Sequence, residues 1–119
     1  AVLSHASAAR LHGLGTLPDD VVEMTSATRR TTTLPAIRLH IAPLDASDWQ
    51  WAMERRIMVT TPARTIADLA VSPIERGYVL DALDDAIERR TATREAVLAA
   101  TARRSPRRVA NITRLLARA

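Results

Sequence analysis

The spacing of apolar residues changes at Thr61-Pro62, and this change constrains the fold more than any other feature of the sequence. Before it, short β-branched segments predict strands; after it, apolar residues recur at helical spacing. Thr followed by Pro is a strong helix start, because the Thr side chain accepts a hydrogen bond from a free N–H and Pro has no N–H to lose. We therefore expect a helix plus a sheet in residues 1–61 and a helical half in residues 62–119.

Three short strands are predicted in the first half, at Val21–Thr25, Ile37–Ile41 and Ile57–Val59. Residues 43–51 are predicted to form a loop or a single helical turn. Because alternating βαβ units are not seen, we expect an α+β fold with a small, mainly antiparallel sheet of about three strands, and not a parallel Rossmann-type sheet.

The segment Ile37–Ile41 alternates apolar and polar residues, which places its isoleucines and leucine on one face and Arg38 and His40 on the other. Pro18-Asp19-Asp20 is predicted to form a turn, and residues 29–33 a polar connection. The chain thus has one well-patterned strand with turn signals before it.

Capping residues and apolar spacing predict five helices. In chain order they lie at about residues 5–12, at about 62–71, after Pro73, at about 93–102 and from about Pro106. Ser4 is placed to cap the first helix by accepting a hydrogen bond from a free N–H. Gly13 or Gly15 is suited to end it in the left-handed conformation.

Composition excludes several classes of protein. The 119 residues, 47% of them apolar, suffice for one compact domain. The absence of Cys excludes disulfide frameworks, thiolate metal sites and Cys nucleophiles, and fits a cytoplasmic location. Aromatic residues make up 3%, which argues against modules that stack bases on aromatic side chains.

No stretch reaches the roughly 20 apolar residues of a membrane-spanning helix. Because the chain opens without Met, we expect a fragment of a longer protein.

Charge is distributed unevenly along the chain. Residues 1–88 hold 8 Arg and 12 acidic residues, a net charge of −4, whereas residues 89–119 hold 9 Arg and 1 acidic residue, a net charge of +8. Phosphates attract such a cluster, so we hypothesise that DNA is bound by five arginines: Arg103, Arg104, Arg107, Arg108 and Arg114. The alternative is that these arginines only keep the surface soluble.

No catalytic, cofactor-binding or metal-binding residue is predicted, and we do not expect an enzyme. His5 and His12 lie two helical turns apart and His40 is on a strand, a spacing that matches no recognised metal site. Three glycines are too few for a phosphate-binding loop, and no nucleophile motif is present. Arg64 and Asp68, four residues apart on a helix, are predicted to form an ion pair with a structural role.

Two blocks of sequence carry a resemblance to a known family. The first is Ser4–Gly13, SHASAARLHG, and the second is Val59–Leu69, VTTPARTIADL. In this order and spacing they resemble the AbiEi family of bacterial antitoxins and transcriptional regulators, and the looser match around them covers essentially the whole chain.

The resemblance implies an antitoxin of a type IV-like abortive-infection toxin-antitoxin system. Its partners would be a cognate nucleotidyltransferase toxin and, as a further expectation, the DNA of its own operon. The family's DNA-reading winged helix-turn-helix would precede residue 1. The matching positions are expected to be structural: Ser4, His5, Ser7, His12, Gly13, Thr61, Arg64, Thr65 and Asp68.

Two alternatives stay open. Similar blocks occur in proteins in which this domain precedes a nuclease domain resembling very-short-patch repair endonucleases, and the chain would then be a non-catalytic N-terminal domain. The second alternative is that the chain is a structural scaffold domain. The sequence specifies neither the toxin, the operator nor the oligomeric state.

Overall fold

The structure, a computed structural model, describes residues 1–18, 21–30 and 34–117. The strands are β1 Val2–Leu3, β2 Val22–Ser26, β3 Ile37–Ile41, β4 Trp49–Ala52 and β5 Ile57–Thr60. The helices are α1 His5–His12, α2 Pro62–Val71, α3 Arg76–Glu88, α4 Arg94–Arg104 and α5 Val109–Leu116, with 3-10 turns at Ala46–Asp48 and Pro106–Arg108. The α+β class and the helical second half are confirmed. The predicted turn at 18–20 and connection at 29–33 fall partly outside the described residues.

The strands form one mixed sheet in the order β3-β2-β1-β5-β4. β1 pairs antiparallel with β2 and parallel with β5. β2 and β3 are parallel, whereas β4 and β5 are antiparallel. The prediction of about three strands in a mainly antiparallel sheet was therefore wrong, since the described residues form five strands with as many parallel as antiparallel pairings.

Both strands that the sequence missed are short. β1 has two residues, too few to show a period, yet it joins β2 to β5 at the centre of the sheet. β4 lies within and just after the segment predicted as a loop or helical turn; that turn does form at Ala46–Asp48, and Trp49–Ala52 follows it directly as a strand.

The helix ends show which local signals were read correctly. Thr61 accepts a hydrogen bond from the Arg64 N–H at 3.2 Å and Pro62 is the first residue of α2, as predicted. Gly13 ends α1 with φ +70°, in the left-handed region that suits Gly. The predicted capping bond of Ser4 is wrong: Ser4 occupies the N-cap position, but its hydroxyl contacts other side chains.

The apolar core lies among the helices. Leu14 and Leu17, in the segment after α1, pack with residues of α2 to α5, which include Ile66, Leu83 and Ile112. By contrast, the layer between the sheet and α2 is polar and buried, and it contains Thr25, Thr60, Thr65, Arg64, Asp48 and Asp68. No described helix has the length and hydropathy needed to cross a membrane.

The two faces of β2 and β3 differ. Glu23 lies within hydrogen-bonding distance of His40 and of the Ala6 N–H in α1, so one face carries polar side chains. The predicted alternation in β3 is confirmed by this placement of His40. Because side chains alternate along a strand, the other face carries apolar residues, of which Val22 and Ile41 are 40% and 49% exposed.

Candidate functional site

Three titratable side chains from three elements meet beside the start of α1. We call His5 of α1, Glu23 of β2 and His40 of β3 the His–Glu–His cluster. One nitrogen of each His and one carboxylate oxygen of Glu23 all lie within 4.8 Å of one another. The parallel register of β2 and β3, with Thr25 opposite His40, brings His40 next to Glu23.

The contacts within this cluster are close. His40 Nε2 lies 3.0 Å from Glu23 Oε1, and the two imidazole rings are stacked with centroids 3.7 Å apart and planes inclined by 16°. Glu23 Oε2 accepts a hydrogen bond from the Ala6 N–H at 3.1 Å. Arg38 Nη1 lies 3.7 Å from Glu23 Oε1, but its side chain is 60% exposed.

His5 is held firmly. It is buried, and its φ of +52° lies in the left-handed region. His is one of the few non-glycine residues enriched there, and such conformations persist only where their surroundings impose them. Its Nδ1 lies 2.8 Å from the Ser4 hydroxyl, which accepts a hydrogen bond from Thr25 Oγ1 at 2.7 Å. The orientation of this imidazole is thus set by two buried hydroxyls.

Burial lowers the pKa of His5 to about 4. The carboxylates of Asp68 and Glu23 favour the charged imidazole, while His40 and Arg104 oppose it, and burial outweighs them all. Burial alone would raise the pKa of Glu23, yet the hydrogen bond with His40, aided by the Ala6 N–H, lowers that pKa below its usual value. At neutral pH the cluster therefore combines an uncharged His5 with an anionic Glu23.

A cavity of about 460 Å³ adjoins the cluster. Glu23, Arg38 and His40 line its polar side, and Leu69 and Ile74 are among the apolar residues that line the rest. The cluster is therefore accessible to a small ligand from the side of His40.

A second group of charges, the arginine–aspartate network, is buried between the sheet and the helices. Arg64 donates from Nη1 to Asp48 Oδ2 and from Nε to Asp68 Oδ1, each at 3.0 Å, and all three side chains are fully buried. Arg103 donates to Asp48 Oδ1 at 2.8 Å, and Arg104 donates to Asp68 Oδ1 at 2.9 Å. The predicted Arg64–Asp68 pair is confirmed and belongs to a larger network.

This network divides the five arginines of the predicted DNA-binding cluster. The guanidinium groups of Arg103 and Arg104 bind Asp48 and Asp68, although the Arg103 side chain stays 35% exposed, and the hydrogen bond with Asp48 raises the pKa of Arg103. Arg107, Arg108 and Arg114 are exposed, and Arg114 contacts the side chain of Asn111. These three arginines therefore lie outside the buried network.

The two sequence blocks meet in space. His12, in the first block, has its Nε2 2.8 Å from the carbonyl oxygen of Thr60 in the second. Ser7 accepts a hydrogen bond from the Glu23 N–H at 2.8 Å, and the Thr65 hydroxyl lies 2.7 Å from that of Thr60. These residues therefore join α1, the sheet and α2.

Sequence reasoning missed Glu23 and Asp48 as members of a site. It considered His5 together with His12 and found no metal-site spacing among the three histidines, whereas the structure stacks His5 on His40 and places His12 against Thr60. The sequence pattern predicted that His40 lies on the polar face of β3. It could not predict that Glu23 lies beside His40, because the order of strands in the sheet is not encoded in the pattern of one strand.

Comparisons of the chain with known protein families, with curated proteins and with solved structures found no match.

Proposed function

We propose that this chain is a binding module and not an enzyme: an antitoxin and transcriptional regulator of a bacterial type IV-like toxin-antitoxin system, which neutralises a nucleotidyltransferase toxin in the cytoplasm. The observation that carries the proposal is the packing of the two blocks that resemble the AbiEi family. His12 of the first block and Thr60 of the second are 48 residues apart in the sequence, yet His12 Nε2 lies 2.8 Å from the Thr60 carbonyl oxygen. Each block also contributes buried polar side chains, among them Ser4 and His5 of the first and Thr65 of the second, as expected of a shared scaffold.

The surface proposed for the toxin is the apolar face of β2 and β3. Val22 and Ile41 are 40% and 49% exposed on it, and β3 is at the end of the sheet. An edge strand offers unpaired backbone groups to a partner, and apolar side chains beside it add buried area. A toxin that extends the sheet here would cover both.

The experiment measures the affinity of the full chain for the nucleotidyltransferase encoded beside its gene, by calorimetry and by rescue of growth on co-expression. We expect Ile41→Glu to weaken binding at least about 10-fold, the scale of a central interface residue. Met53→Glu is the matched control, because Met53 is 78% exposed in the turn between β4 and β5. Equal affinity for both variants contradicts this surface, and the absence of any binding contradicts the antitoxin function.

DNA binding, as an aid to autorepression, is proposed for Arg107, Arg108 and Arg114 alone. Each arginine that neutralises a phosphate steepens the fall of log affinity with log salt by about 0.9. We expect the triple alanine variant to have a slope shallower by about 2.7, whereas a triple alanine variant of the exposed Arg29, Arg30 and Arg55 leaves the slope unchanged. Equal slopes for the two variants would exclude the tail as the DNA-binding surface.

A further inference from the structure

We propose that the His–Glu–His cluster is a binding site for a divalent transition-metal ion, with Zn²⁺ as the best-fitting ion. Two imidazoles and one carboxylate, from α1, β2 and β3, have their ligand atoms within 4.8 Å. This donor set suits Zn²⁺, and three protein ligands with an open position are typical of accessible zinc sites. The proposal is independent of the antitoxin function.

The hydrogen bonds that hold His5 and Glu23 in place are of the kind found around bound metal ions. Nδ1 of His5 is hydrogen-bonded to Ser4 Oγ at 2.8 Å, so Nε2 is the nitrogen left to bind the ion. Oε2 of Glu23 accepts a hydrogen bond from the Ala6 N–H at 3.1 Å, so Oε1 is the oxygen left to bind the ion. Metal-bound histidines almost always donate their second ring N–H to an oxygen that orients them, and Ser4, itself held by Thr25, supplies that oxygen.

The distances define what must move. Two ligand atoms at about 2.0–2.1 Å from a tetrahedral ion lie roughly 3.3 Å apart, and His40 Nε2 and Glu23 Oε1 are already 3.0 Å apart. The stacked rings are nearly parallel, so one must tilt to direct its lone pair at the same ion. His40 is the one able to do so, because its side chain is 24% exposed on the edge strand while His5 is fully enclosed.

The cavity supplies the remaining position. It is bounded by Glu23 and His40, so a water molecule or a small anion can complete the coordination from that side. Arg38 lies 3.7 Å from the carboxylate oxygen that the ion would take. Since this side chain is 60% exposed, it can turn outward as the ion neutralises Glu23.

The test uses the full chain after removal of metal with EDTA. Calorimetry with Zn²⁺ and the visible absorption of added Co²⁺ are expected to show one equivalent bound, with a spectrum typical of four or five ligands. His40→Ala and Glu23→Gln are expected to weaken binding by about 100-fold or more, and the outer variant Thr25→Val by about 10-fold. His12→Gln is the matched control, because His12 contacts Thr60 outside the cluster.

Thermal melting with and without Zn²⁺ shows whether each variant still folds. Zn²⁺ is expected to raise the Tm of the wild-type chain and of His12→Gln, and to leave that of His40→Ala unchanged. Stoichiometric binding that survives both His40→Ala and Glu23→Gln would overturn the proposal, as would a wild-type chain with no Co²⁺ spectrum and no shift in Tm.

Discussion

Asp68→Asn tests whether the arginine–aspartate network holds the fold together. Asp68 is fully buried in α2, and its Oδ1 accepts hydrogen bonds from Arg64 at 3.0 Å and from Arg104 at 2.9 Å. The substitution keeps the shape of the side chain and removes its charge. Arg64, which is fully buried, and Arg104, which is mostly buried, then each lose one counter-charge.

The expected cost follows from this geometry. Removing one partner of a buried ion pair costs about 3–5 kcal/mol, because the other charge is left uncompensated. Arg64 retains its bond to Asp48, and the side chain of Arg104 is 19% exposed, so we expect the lower end, about 3 kcal/mol. A domain of this size is stable by about 5–15 kcal/mol, and the loss corresponds to a fall in Tm of roughly 10 °C.

Urea unfolding followed by circular dichroism measures the effect, and an unchanged slope shows that the unfolded state is unaffected. Asp84→Asn is the matched control, since it makes the same change at an exposed position of α3 and is expected to stay within about 0.5 kcal/mol of wild type. If both variants unfold at the same urea concentration, the structural role of Asp68 is refuted. A variant that melts normally and yet no longer neutralises the proposed toxin would assign Asp68 to binding.

Two further predictions concern stability. In EDTA the chain should lose stability as the pH falls from 6.5 towards 4, because the pKa of His5 is lowered to about 4 by folding, so the unfolded state binds more protons in this range. The free energy of unfolding is expected to fall by up to about 3 kcal/mol over this range. A His5→Gln variant whose stability in urea unfolding depends on pH as strongly as that of wild type would refute this prediction. Gly15→Ala should destabilise by about 1 kcal/mol or more, since φ is +66° and the added Cβ would lie 3.2 Å from the Ala82 nitrogen. Gly77→Ala, in α3 with no atom within 4 Å, should instead stabilise by up to about 1 kcal/mol, and thermal melts that rank the two alike would contradict the geometry.

The helical half was predictable because its signals are local. Thr61 accepts the predicted capping hydrogen bond from the Arg64 N–H, and Thr93, near which a helix was predicted to begin, accepts one from the Ala96 N–H. Apolar residues at helical spacing then show which side of each helix is buried. Neither signal requires knowledge of residues far away in the chain.

The sheet was not predictable in the same way. β1 joins β2 to β5 through the pairs of Leu3 with Met24 and with Val59, and nothing near Leu3 in the sequence indicates either partner. The His–Glu–His cluster has the same origin, since it depends on the register that sets Glu23 and Thr25 beside β3. Tertiary pairing, and not local preference, creates the site.

The location of the motif residues bears on what the resemblance can mean. Ser4, His5, Thr65, Arg64 and Asp68 are all buried, so they act through the interior of the fold. The proposed selection of one toxin or one operator would need exposed side chains, and the side chains of both blocks are buried or half-buried. The resemblance therefore predicts the scaffold, and the proposed partner specificity is to be tested on the exposed face of β2 and β3 and on Arg107, Arg108 and Arg114.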